Sequence, residues 1–269
     1  MKGSRANRGA GAVVHATAIV NRSAELGDGV EVGPYAIVGP SVRIGRNTRI
    51  GPRVLIERDT VVGSGCNVGN GAVLGTDPQD LKYEGERTFL EVGDRTVIRE
   101  FATLNRGTAA SGRTVVGSDC LLMAYSHIAH DCELGNHVIV SNATNMAGHV
   151  SIEDWAVVSG LVAIHQFVRI GAHSFVGGAS RVPQDVPPFC RVVGNPSPKL
   201  YGLNSVGLER RGLSSDVRRR LKSAYRILFQ SDIALSRAIR RVESREDLMC
   251  PEVGYFLDFI RSSKRGIIT

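Results

Sequence analysis

Histidines cluster between positions 127 and 173, among them His127, His130, His149, His165 and His173. Asp131 directly follows His130. Imidazole titrates near neutrality, and a neighbouring carboxylate can orient it and stabilise its charged form. Such a pair suits the attack of a hydroxyl on a thioester carbonyl. That reaction also needs N–H donors for the tetrahedral oxyanion. No serine or cysteine nucleophile is required if the acyl group passes directly. Zinc is a rival reading, because histidines from neighbouring segments can bind it tetrahedrally. Which of these side chains meet depends on the elements that carry them.

Those elements repeat every six residues. Val14, Val20, Leu26, Val32, Val38, Ile44, Ile50, Ile56, Val62, Val68 and Leu74 are evenly spaced branched aliphatics. Glycine follows most of them, and a small or β-branched residue sits four positions after each but the last. The phase returns at Val92, Ile98 and Leu104, then continues from Val116 through Val176. This is the pattern of a parallel β-helix. Three hexads make a coil of roughly 18 residues, and coils stack at about the strand spacing of 4.8 Å. The aliphatics point inward, and glycine eases the tight corners.

The period then specifies neighbours. His130 stacks under Gly148 and Gln166, and Asp131 under His149; Ala129, Ala147 and His165 form the adjoining column. Six polar or small residues therefore gather on one corner: His130, Asp131, Gly148, His149, His165 and Gln166. His130 is the candidate base, Asp131 its partner, and the Gly148 backbone N–H the candidate oxyanion donor. Side chains alternate along an ideal strand, but a corner breaks that alternation. Gly and Gln in the His130 column argue against a compact three-histidine zinc cage. A column of small residues, Ala124, Asn142, Gly160 and Gly178, offers either a tight corner or a groove for an alkyl chain.

The chain divides into a basic, Gly-rich arm at 1–13, the β-helix at 14–187 with an excursion loop at 76–91, and a helical domain at 188–269. A shorter break covers 109–113. Pro183, Pro187 and Pro188 end strand pairing. Ser214 or Ser215 is placed to cap a helix with Val217, Leu221, Tyr225 and Leu228 on its apolar face. Further helices are predicted over 232–242 and 251–261, covering the open end of the solenoid. From Pro188 onward there are sixteen Lys/Arg against eight Asp/Glu, so this tail carries the excess behind the net charge of +7. A basic tail suits an acidic partner; no nucleic-acid-reading module is visible. Five cysteines without a CxxC pair read as reduced thiols of a cytoplasmic protein. No apolar run approaches the roughly 18 residues of a membrane span.

Taken together, GTDPQDLKY (75–83), NRGT (105–108), HIAHDC (127–132), AGHV (147–150), HQF (165–167), QDVPPF (184–189) and GLNSVGLERRG (202–212) resemble the UDP-N-acetylglucosamine O-acyltransferases of lipid A synthesis. The resemblance covers nearly the whole chain. It implies a left-handed β-helix and a homotrimer with sites between neighbouring prisms. It also implies transfer of a (R)-3-hydroxyacyl group from acyl carrier protein to the 3-hydroxyl of UDP-N-acetylglucosamine. No cofactor belongs to the enzyme itself, since the donor carries 4'-phosphopantetheine. By the same resemblance Asp80 and Lys82 contact the sugar nucleotide and phosphopantetheine region. His127, His149, His165 and Gln166 line the substrate site, and Arg210 faces the UDP phosphates. Gly178 occupies the position that limits acyl-chain length, and the acidic carrier protein becomes the partner of the basic tail. Ala16 and Leu213 depart from the family pattern, as does the arm. A 3-amino sugar acceptor, a zinc enzyme of carbonic anhydrase type and a nonenzymatic scaffold stay open at this level.

Overall fold

Each hexad becomes a two-residue strand and a corner. In Glu31–Val32, Arg43–Ile44 and Arg49–Ile50 the first residue faces out and the second is buried. A computed structural model describes residues 7–269. The strands build three sheets, of nine, eleven and nine members, which form the faces of a prism. Sheet A runs from Asn7–Arg8 to Arg169–Ile170, sheet B from Val13–Val14 to Lys199–Leu203, and sheet C from Ile19–Val20 to Arg181–Val182. All pairing is parallel until the last two strands of sheet B. The architecture is a left-handed parallel β-helix with a helical C-terminal region.

The inward residues form one continuous core, from Leu26 and Val32 at one end to Val182, Val186 and Val192 at the other. Burying each such aliphatic contributes about 1.5–3 kcal/mol, so the ladder is the main source of cohesion. Coil length is 18 residues where Asn145 pairs with Ala163. It is longer at the two interruptions: Asn67 pairs with Val97, and Thr103 with His127. The first interruption leaves the sheet C strand Val73–Thr76 and re-enters sheet A at Phe89–Val92, so the free loop is 77–88. The second runs between Thr103–Asn105 of sheet C and Arg113–Val116 of sheet A. Both emerge at the same corner of the prism.

Two boundaries of the solenoid differ from the sequence reading. Residues 1–6 of the expected arm lie outside the described residues. Asn7–Arg8 pairs with Glu25–Leu26, so winding begins before Val14; Arg8 in the aliphatic slot hid that hexad. The coil also passes residue 187: Cys190–Val193 stacks in parallel on Phe175–Val176, then turns into an antiparallel hairpin with Lys199–Leu203.

Four helices follow: α1 (Ser205–Arg210), α2 (Ser215–Phe229), α3 (Leu235–Glu243) and α4 (Pro251–Ser262). The Ser214 side chain caps α2 by accepting from the Val217 N–H. α1 had no sequence signal strong enough to separate it from the preceding loop. The helices build a second core around Phe189, Cys190, Leu221, Tyr225 and Phe256, with no helical residue among the buried members of the prism core. The top of the prism is instead entered by Ile268, held where the C-terminal segment bonds to Asp185.

Candidate active site

His130 and Asp131 sit where the chain leaves sheet C at His127–Ile128 and enters sheet A at Glu133–Leu134. Asp131 adopts the left-handed conformation, with φ 59°. That conformation cancels the strand alternation and lets consecutive side chains meet. His130 Nδ1 lies 2.7 Å from Asp131 Oδ2, and the Asp131 side chain is fully enclosed. Three further donors reach the same carboxylate. Thr108 N–H donates to Oδ1 at 2.9 Å, Thr108 Oγ1–H to Oδ2 at 2.8 Å, and the Ser111 hydroxyl to Oδ1. Burial alone pushes this carboxyl up, but the hydrogen bonds from Ser111, His130 and Thr108 outweigh it and hold it at about 2.

Asp131 is therefore an anion at neutral pH and accepts the Nδ1 proton. The tautomer follows from the hydrogen-bond network: Nδ1 carries the proton and Nε2 keeps its lone pair. That ring packs against Gly148 of the next coil. A Cβ at Gly148 would come 2.4 Å from His130 Cε1 and 2.6 Å from Nε2. The Gly148 carbonyl accepts from Phe167 N–H, while its own N–H has no acceptor among the described residues. A free base nitrogen thus sits beside an unsatisfied backbone donor, as general-base attack and oxyanion stabilisation require.

The corner gathers the other residues that the period specified. His149 lies edge-on to His130 at 5.2 Å between ring centroids and stacks on Phe167 at 4.5 Å. His165 and Gln166 occupy the coil above and are exposed. His127 faces outward from sheet C, with Nδ1 2.7 Å from Thr103 Oγ1. Burial, with a smaller repulsion from His130, lowers its pKa. His173 is not part of this site. It stacks between Trp155 and Phe189 on the corner joining sheets A and B.

Asp80 and Lys82 lie on the excursion loop, two coils below His130 on the same corner. Lys82 is exposed, and its backbone N–H donates to Asp80 Oδ1 at 3.0 Å. The loop's base is fixed by Arg106, whose side chain is fully buried. Its guanidinium bonds Asp77, the Gly75 carbonyl and the Tyr83 hydroxyl. Arg58 reaches Asp77 as well, at 3.2 Å. Glu86 accepts from Ala109 N–H at 3.0 Å, linking this loop to the segment that holds Asp131. Sequence reasoning overlooked Arg106, Thr108 and Ser111. The NRGT motif contains Arg106 and Thr108, but their partners lie outside the 18-residue period.

Arg210 and Gly178 stand elsewhere on the prism. Arg210 ends α1 and lines a groove of about 800 Å³ with Val157, Phe175, Lys222 and Arg226, over the outer face of sheet B. Gly178 turns the corner between sheets B and C, against the Gly160 carbonyl. Neither is brought to His130 within one chain.

His130, Asp131 and His149 could also be read as metal ligands, since their donor atoms lie within 4.8 Å of one another. The donor set does not suit that use. The four acceptor positions of Asp131 are taken by protein donors, and His130 Nδ1 is itself a donor to it.

Residues 185–268 match the family model described as UDP N-acetylglucosamine O-acyltransferase, domain 2. Residues 41–76 and 113–148 match the bacterial transferase hexapeptide model. The chain is 48% identical over 207 residues to the acyl-[acyl-carrier-protein]--UDP-N-acetylglucosamine O-acyltransferase of Burkholderia mallei, covering 75% of this chain and 78% of that protein. The solved UDP-N-acetylglucosamine acyltransferase of Bacteroides fragilis superposes with a TM-score of 0.93 at 41% identity, covering 96% of this chain and all of that one. The Acinetobacter baumannii structure gives 0.92 at 39%, again over 96% and 100% of the two chains.

Proposed function

Because the chain belongs to the UDP-N-acetylglucosamine O-acyltransferase family, we propose that it moves a (R)-3-hydroxyacyl group from acyl carrier protein to the 3-hydroxyl of UDP-N-acetylglucosamine, the first step of lipid A biosynthesis. The observation that carries the chemistry is the His130–Asp131 pair at 2.7 Å, set against Gly148. His130 Nε2 takes the proton of the sugar hydroxyl as its oxygen attacks the thioester carbonyl. Asp131 stabilises the imidazolium that forms. The Gly148 N–H donates to the oxyanion. Collapse expels the phosphopantetheine thiolate, which takes the proton back from Nε2. The donor brings the only prosthetic group the reaction uses, so the enzyme requires no cofactor or metal of its own.

Asp80, Lys82, His127, His149, His165 and Gln166 are assigned to substrate binding around this corner. Arg210 is assigned to the UDP phosphates, where a guanidinium suits the charge. Its position over another face supports a homotrimer in which a neighbouring copy completes the site. Gly178 is assigned to the acyl channel: a Cβ there would meet the Gly160 carbonyl at an ordinary 3.4 Å, so the glycine leaves room that a longer side chain would fill. The basic groove lined by Arg191, Arg210, Arg211, Lys222 and Arg226 supports docking of an acidic carrier. No helix among the described residues is long and apolar enough to cross a membrane, and we assign the protein to the cytoplasm. The relatives are O-acyltransferases by name, which favours a hydroxyl over a 3-amino acceptor.

The test is transfer from a panel of 3-hydroxyacyl carrier proteins to UDP-N-acetylglucosamine and to its 3-amino analogue. Preferential acylation of the hydroxyl sugar supports the proposal. Turnover of the amino sugar alone contradicts it.

A further inference from the structure

The short break at 109–113 looks like a surface loop, yet one of its side chains reaches inside. Ser111 is exposed as a residue, and its hydroxyl nevertheless bonds Oδ1 of the fully enclosed Asp131 carboxylate. The same oxygen also lies 2.8 Å from the Arg113 carbonyl. One hydroxyl carries one proton, and the ionised carboxylate is the stronger acceptor. Thr108, at the start of the same segment, supplies the other non-histidine donors to Asp131. Coil stacking alone does not supply these bonds, because Ser111 and Thr108 stand outside the regular hexads.

We infer that Ser111 is a positioning residue for the transfer: from the rim of the loop it fixes the rotamer of Asp131 and draws charge from its carboxylate, and so sets the basicity of His130. This rests on the reading of His130 as the base. The physical consequence has a definite sign. Oδ1 and Oδ2 share one negative charge. A donor on Oδ1 weakens Oδ2 as the acceptor for His130 Nδ1–H, and so lowers the affinity of Nε2 for a proton. Removing that donor makes Asp131 a stronger acceptor and His130 more basic. The other groups facing the pair stay in place in such a variant: His149 with Nε2 3.7 Å from Oδ2, His127 beside His130, the Cys132 thiol behind Asp131, and Glu86 on the Ala109 N–H. Burial pushes the Cys132 thiol up to about 12, so it adds no charge in the working range.

The experiment compares wild type, Ser111→Ala and Ser111→Thr as full chains. His130 is titrated by NMR with labelled histidine, and kcat/KM is measured across pH. In Ser111→Ala both the His130 midpoint and the acid limb of kcat/KM should move to higher pH by about 0.5–1 unit, a fraction of the ~1–2 units a charged hydrogen bond is worth directly, because this one acts on His130 only through Asp131. Above that limb the rate should fall about 3–10-fold through loss of orientation. Ser111→Thr, which keeps the hydroxyl, should restore both. A uniform rate loss with no movement of the midpoint would reduce Ser111 to a structural residue and overturn the inference, as would a shift to lower pH. The NMR midpoint decides this without reference to turnover. If His130→Ala kept its activity, the base assignment would fail separately.

Discussion

The imidazole of His130 packs so closely on Gly148 of the next coil that a methyl group there would come 2.4 Å from its Cε1. The base and the donor for the oxyanion are thereby fixed relative to one another by stacking of adjacent coils. Gly148 is not in the left-handed region, so its backbone accepts alanine. Gly148→Ala should therefore fold, displace the ring of His130 and lower kcat/KM by about 10²-fold, the scale of a misplacement near 1 Å. Steady-state kinetics beside a thermal melt separates this from unfolding: a normal rate in a folded variant would refute the packing constraint.

Asp131 links catalysis to acid stability. Its carboxyl is held at about 2 in the folded chain, against about 3.9 unfolded. The folded pKa is depressed, so the contribution is present above pH ~4 and is lost as pH falls from there towards pH ~2, amounting to about 2–3 kcal/mol. Urea melts from pH 6 to pH 2 should show that loss in wild type. Asp131→Asn should be less stable at pH 6 and should lose less on acidification. Equal slopes for the two proteins would contradict the assignment.

His173 should oppose acidification in a higher window. Burial lowers its pKa, Arg211 lowers it further, and Asp154 acts in the opposite direction. Below the unfolded value near 6.5 the unfolded chain binds a proton that the folded chain resists. This part of the stability is complete above pH ~6.5 and declines as pH falls towards the lowered folded value. Phe167 and Phe189 already occupy equivalent left-handed corners, so His173→Phe should preserve the aromatic stack. Melts between pH 5 and pH 7.5 should be flatter for that variant; an unchanged slope would argue against a neutral, half-buried His173.

Arg106 anchors the excursion loop from the next coil. Arg106→Ala removes one of the two arginine partners of Asp77 and leaves the buried Gly75 carbonyl without this donor. A stability loss of about 2–4 kcal/mol is expected from the cavity and the lost hydrogen bonds. The loop should become cleavable by trypsin at Lys82, and KM for the sugar nucleotide should rise more than kcat falls. A protease-resistant loop with unaltered KM would show that Arg58 and Tyr83 suffice.

The six-residue period made the prism and the His130 corner legible, because stacking converts sequence spacing directly into contact. It paired His130 with Gly148 and Asp131 with His149 without any side-chain geometry. It failed where coils lengthen. Ser111 and Thr108 meet Asp131 across an interruption, and Arg106 meets Asp77 across a loop, so no fixed interval identifies either contact. Arg8 in an aliphatic slot concealed the first hexad, and parallel stacking of Cys190–Val193 carried the solenoid beyond the prolines. Arg210 was recognisable by motif alone; its place over sheet B depends on how the hairpin and α1 fold back.

The most direct measurement is acyl transfer to UDP-N-acetylglucosamine by folded His130→Ala beside wild type, under single-turnover conditions with saturating carrier-bound donor. Removal of the general base should slow the chemical step by about 10²–10⁴-fold while both substrates still bind. A loss smaller than about tenfold would contradict the role assigned to His130 and, with it, the catalytic reading of this corner.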